Sequence, residues 1–119
     1  MSILRTEGAV AVFARDLFFR ARIEALVEEL GRHVVRDTPA SYAVVELGSP
    51  QQIERIHRLT EAGTRVLAFG SHVDADSLRT AREAGAVAVP NSRLEAALRT
   101  FLTVTPAADG PVPPGRPAS

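Results

Sequence analysis

Tyr42-Ala43-Val44-Val45-Glu46-Leu47-Gly48-Ser49-Pro50 decides the fold. An unbroken apolar run ends on a single acid, and a proline that can open a helix follows four residues later. A continuous apolar run of this length marks a strand covered on both faces, as in a parallel sheet. Pro50 suits the first position of a helix, Ser49 is placed to cap it, and Gln52 to complete a capping box. The stretch therefore reads as strand, turn, helix, with Glu46 at the strand's carboxyl end.

The same grammar repeats outward. Ala9 to Ala14 is a first apolar strand. Leu17 to Leu30 follows as a helix whose inward stripe is expected to hold Leu17, Phe18, Ala21, Ala25 and Leu26, widened by Ile23, Val27 and Leu30. Gly31 ends it. His33-Val34-Val35 is a short second strand, Tyr42 to Leu47 the third, and Arg65 to Phe69 the fourth. Between the third and fourth, a helix turns Ile53, Ile56 and Leu59 inward and stops at Gly63. Asp74 caps a helix running to Ala84, with Gly85 beyond it. Val87-Ala88-Val89 is the fifth strand, stopped by Pro90. Ser92 and Glu95 have the spacing of a second capping box. Leu94, Ala97, Leu98, Phe101 and Leu102 give the last helix its apolar face.

Strands alternating with helices imply an α/β fold with a parallel sheet between two helical layers. One connection breaks the pattern. Only Arg36 to Ser41 join the second strand to the third, whereas a parallel crossover usually takes about a dozen residues or more. The helix expected there is missing or reduced to a turn. Residues 1–105 are read as one domain. Residues 106–119 hold five of the eight prolines and little to bury, and are read as a disordered Pro/Gly-rich tail.

Composition removes several function classes. Fourteen acids balance fourteen basic residues, all of them arginine, so no global field favours nucleic acid or an anionic membrane. The absence of cysteine excludes disulfides, thiolate nucleophiles and cysteine-bound zinc. Without lysine there is no ammonium for Schiff-base chemistry or for a phosphoryl group. No apolar run reaches the roughly twenty residues of a membrane helix, and Met1 to Glu7 lack the order of a secretory signal. A cytoplasmic location is expected.

Ligands and switches of such sheets gather beyond the carboxyl ends of the strands. That rule selects Arg15 and Asp16, Glu46 to Ser49, Gly70 to Asp74, and Pro90 to Ser92. His72, Asp74 and Asp76 have a spacing compatible with metal ligands, but a helix cap and a first-turn acid explain the two aspartates more simply. No nucleotide-binding or nucleophile-elbow motif is present, so neither an enzyme nor a cofactor is expected.

Three features resemble the receiver domains of two-component response regulators, over roughly residues 8–103. Val44-Val45-Glu46-Leu47-Gly48-Ser49-Pro50 resembles the receiver's third strand, with Glu46 at the phosphoacceptor position. Val66-Leu67-Ala68-Phe69-Gly70-Ser71 is similar to the fourth strand and its switch residue. Ala81-Arg82-Glu83-Ala84-Gly85-Ala86 is similar to the run before the fifth strand. The resemblance implies a flavodoxin-like, CheY-like three-layer sandwich with strand order 2-1-3-4-5 and a degenerate second helix.

The catalytic parts depart from the receiver pattern. The acidic-pair region falls on Arg15 and Asp16, the phosphoacceptor is a glutamate, the switch hydroxyl falls on Gly70, and the lysine falls in Asn91-Ser92-Arg93. The resemblance therefore implies a non-catalytic pseudo-receiver that acts through a protein partner in a signalling pathway. Glu46 stands either as a fixed imitation of the phosphorylated state or as a solvated acid at a strand end. A homodimer or partner interface is expected on the last helix, at Leu94, Leu98 and Phe101. The alternative is a small-molecule or anion sensor whose pocket holds Gly70, Ser71, His72, Asn91 and Ser92.

Overall fold

The computed structural model describes residues 8–36 and 40–103. The expected tail, like residues 104 and 105 of the expected domain, lies outside the described residues. Five strands form one sheet: β1 (Val10–Phe13), β2 (Val34–Val35), β3 (Tyr42–Glu46), β4 (Arg65–Gly70) and β5 (Val87–Pro90). Their order is β2-β1-β3-β4-β5 and every pairing is parallel. This is the flavodoxin-like arrangement. The helices are α1 (Leu17–Glu29), α2 (Pro50–Glu61), α3 (Ala75–Glu83) and α4 (Leu94–Thr103).

Alternation along the strands divides the core in two. Val10, Val12, Tyr42, Val44, Leu67 and Phe69 point to one face, where α1 brings Ile23, Leu26 and Val27, and α4 brings Leu94, Leu98, Phe101 and Leu102. Ala9, Ala11, Ala43, Val45, Val66, Ala68 and Ala88 point to the other, where α2 brings Ile56 and Leu59, and α3 brings Leu78 and Ala81. The second face is rich in alanine. The first is filled by large side chains, with Tyr42 edge-on to Phe101 at 5.4 Å. A period of two within each strand is what lets one sheet serve both layers.

The helix ends follow the glycines. Gly31 takes φ 81° after α1 and Gly85 takes φ 102° after α3, a region costly for a side chain with Cβ. Arg32 closes α4 from a distance. Its Nε and Nη2 donate to the Leu102 carbonyl at 3.1 and 2.7 Å, satisfying one of the acceptors left open at a helix end. The same guanidinium lies 4.8 Å from the centre of the Tyr42 ring.

Among the described residues, no helix separates β2 from β3. The expectation drawn from the six-residue connection holds. α2 packs on β3 and β4, and α3 on β4 and β5. Phe13 and Val35, on the α2 side of β1 and β2, are only partly buried.

Three local expectations are corrected. α1 buries Ile23, Leu26 and Val27, while Leu17 is 79% and Phe18 64% exposed, and Ala21 and Ala25 also face outward. The helix is rotated because Phe19 packs on Phe69, ring centres 5.4 Å apart, and so fixes the inward stripe at 19, 23, 26, 27 and 30. Ser49 makes no side-chain cap bond, and the Gln52 amide nitrogen donates to strand-end carbonyls. Ser92 does not occupy a cap position but lies inside a 3-10 turn. That turn, over Asn91–Arg93, precedes α4, and Glu95 pairs with Arg22 of α1 instead.

Leu98 is 1% exposed at the centre of the large-residue face. Leu98→Ala is expected to cost about 2–5 kcal/mol through lost burial and the cavity left behind, measured by urea denaturation.

Candidate functional site

β3 carries Glu46 to the carboxyl rim of the sheet, where its side chain turns toward the loop after β1. Glu46 Oε1 accepts the backbone N–H of Arg15 at 2.7 Å and that of Asp16 at 3.0 Å. Charge-assisted bonds of this kind are short and stronger than neutral ones. Asp16 continues the chain of contacts. Its Oδ1 accepts Phe18 N–H at 2.8 Å and Phe19 N–H at 3.2 Å, capping α1. Both acids at this rim are thus engaged by main-chain amides.

Gln52 secures the same corner from α2. Its Nε2 donates to the Glu46 carbonyl at 2.8 Å and to the Phe13 carbonyl at 3.4 Å. The ends of β1 and β3 and the starts of α1 and α2 are joined through two side chains, Glu46 and Gln52. The space left among Arg15, Glu46, Leu47, Gly48, Ser49 and Gln52 is about 40 Å³. That holds little beyond a water molecule or two.

Leu47 fills the neighbouring position. It is 7% exposed, and a Cβ added at Gly70 would lie 3.3 Å from the Leu47 Cβ. The fourth-strand residue at the expected switch position is therefore glycine against leucine. Ser71 is exposed, and its hydroxyl accepts Val73 N–H at 3.3 Å. His72 is exposed. Asp74 caps α3 by accepting Ser77 N–H at 3.3 Å, and Asp76 pairs with Arg79 at 2.7 Å. Both aspartates do what the simpler sequence reading expects. Among the described residues, no three His, Asp or Glu side chains gather as a group that could hold a metal ion.

The five expected pocket residues separate. Asn91 and Ser92 line a groove of about 320 Å³ between α1 and α4, beside Phe18 and Phe19. Ser71 and His72 line neither that groove nor the niche at Glu46. The expected interface is corrected outright. Leu94, Leu98 and Phe101 are 3, 1 and 6% exposed and belong to the core, because α4 turns its whole apolar stripe onto the sheet. The apolar side chains offered to solvent at this rim are Leu17, Phe18 and Val73.

Gln52 escaped the sequence reading as a site residue, and Leu47 entered it only as part of the Glu46 to Ser49 loop. The signal for Gln52 was present, a long amide six residues beyond the end of β3 and three beyond Ser49, but a capping box explains the same spacing. Arg36, Arg55 and Arg58 were missed as well. They line a wider groove on the α2 side with Arg15 and Arg20. The 55/58 spacing puts two guanidiniums on one helical face.

No family profile and no curated protein matches this chain. Among solved structures, it is similar to a protein of Burkholderia pseudomallei that carries the provisional name of a pilus assembly-related protein. The two share 16% identity with a TM-score of 0.61, over 82% of this chain and 92% of that one. Likeness at that identity shows the fold.

Removing the Glu46 carboxylate leaves two loop amides without their acceptor. Glu46→Ala is expected to destabilise by about 1–3 kcal/mol, and Glu46→Gln, which keeps one carbonyl oxygen, by less. Thermal melts read the difference, and amide exchange at Arg15 and Asp16 should quicken in the alanine variant.

Proposed function

We propose that this protein is a non-catalytic receiver-like module that acts through contacts with a protein partner in a cytoplasmic signalling pathway. The observation that carries the reading is the engagement of Glu46 Oε1 by the amides of Arg15 and Asp16. In a phosphorylatable receiver, the acceptor carboxylate must face an incoming phosphoryl group, with cations to offset the charge that builds during transfer. Here the carboxylate is turned onto the β1–α1 loop beside a 40 Å³ niche. No lysine exists in the chain to assist.

Glu46 then acts as a fixed latch. It holds the start of α1 in one place without a modification, the role that an added phosphate plays where it orders a loop through new hydrogen bonds. Leu17 and Phe18, exposed on the helix so positioned, supply contact area for a partner. Among the described residues, no helix is long and apolar enough to cross a membrane, which accords with a partner met in solution. A homodimer is one form such a partnership takes.

A second reading, a small-molecule sensor at this rim, is favoured by the 320 Å³ groove that Asn91 and Ser92 share with Phe18 and Phe19. It differs in needing a ligand to set the state.

Incubation with magnesium and acetyl phosphate, followed by intact-mass spectrometry, tests the first reading. An unchanged mass is expected, and a stoichiometric acyl phosphate would overturn it. A thermal-shift screen of metabolites separates the two readings. A rise in melting temperature abolished by Asn91→Ala, but not by His72→Ala, would favour the sensor at the α1–α4 groove.

A further inference from the structure

Where no helix separates β2 from β3 among the described residues, a groove of about 620 Å³ lies over the carboxyl ends of β1 and β2. Five arginines line it: Arg15 after β1, Arg20 on α1, Arg36 after β2, and Arg55 and Arg58 on α2. Glu54 is the one acid among its lining residues. A chain with no net charge therefore concentrates a strong positive surplus in one place. Local fields of this kind, set between low-dielectric walls, gather anions.

Two of the five guanidiniums have acid neighbours. Arg20 Nε lies 3.1 Å from Glu24, and Arg58 Nη1 lies 3.9 Å from Glu54. Arg15, Arg36 and Arg55 have no ion-pair partner among the described residues. Glu46, whose Oε1 receives the backbone N–H of Arg15, forms no ion pair with the Arg15 guanidinium. The Arg55 guanidinium lies 4.3 Å from the centre of the Phe13 ring, which holds it over the groove floor. Ser49, its hydroxyl free of any capping bond, adds a neutral donor on the same wall.

We propose that this groove binds a small soluble anion bearing a di- or triphosphate group. Three guanidiniums without acid partners match the charge of such a group. The planar fork of arginine engages phosphate oxygens in pairs, which a lysine-lined groove would not do. The volume falls within the range of about 300–1,000 Å³ typical of small-ligand sites. The groove adjoins the Glu46 niche and shares Arg15, Ser49 and Gln52 with it, but the proposal does not rest on the signalling role.

The test titrates the isotopically labelled full-length chain with inorganic pyrophosphate and follows amide resonances. Saturable shifts are expected at Arg15, Arg36 and Arg55. Arg36→Ala and Arg55→Lys should each weaken binding about tenfold, the loss of one charge-assisted contact. Arg36 is exposed, and lysine at 55 keeps an aliphatic cover over Phe13, so both variants should fold. A parallel arm offers vesicles carrying inositol phospholipids. An unchanged spectrum at about 10 mM pyrophosphate, an affinity indifferent to both substitutions, or binding to the vesicles without binding to pyrophosphate would each overturn the proposal.

Discussion

A single carboxylate oxygen receives two backbone amides, and the carboxyl rim of this protein is arranged around that fact. Glu46 Oε1 accepts from Arg15 and Asp16. Asp16, placed by that contact, caps α1. α1, so started, sets Phe19 on Phe69 and leaves Leu17 and Phe18 outward. A loop of three residues between a strand and a helix has several ways to run, and its amides would otherwise face water. Two short charge-assisted bonds select one of them.

The contacts around Glu46 leave a niche of only about 40 Å³ at this corner of the rim. Gln52 ties the carbonyls of Glu46 and Phe13 together from α2, and Leu47 occupies the space beside Gly70. These contacts reinforce one another, since each fixes the backbone that the next one needs.

The sheet was legible in the sequence because strands covered on both faces read as unbroken apolar runs, and because glycines and caps punctuate the helices between them. The shortened connection was legible from its length. Side-chain partnerships over long separations were not. Ser49 and Gln52 have capping-box spacing, yet the Gln52 amide goes to Phe13, 39 residues away. The face of α1 was ambiguous for a related reason. Leu17, Phe18, Ala21 and Ala25 make as good a stripe as Phe19, Ile23, Leu26 and Leu30, and only the position of Phe69 chooses between them. Glu46 was correctly placed at the rim, but whether its carboxylate met solvent or amides depended on how the β1–α1 loop runs.

The two borders of the sheet are short and poorly suited to recruiting another strand. β2 has two residues, and β5 has four, the last of them Pro90, which has no N–H to offer. An incoming chain would find too few free main-chain donors and acceptors to extend the ladder. Self-association by β-augmentation is thereby discouraged, and any assembly this protein enters is left to its helical surfaces and loops.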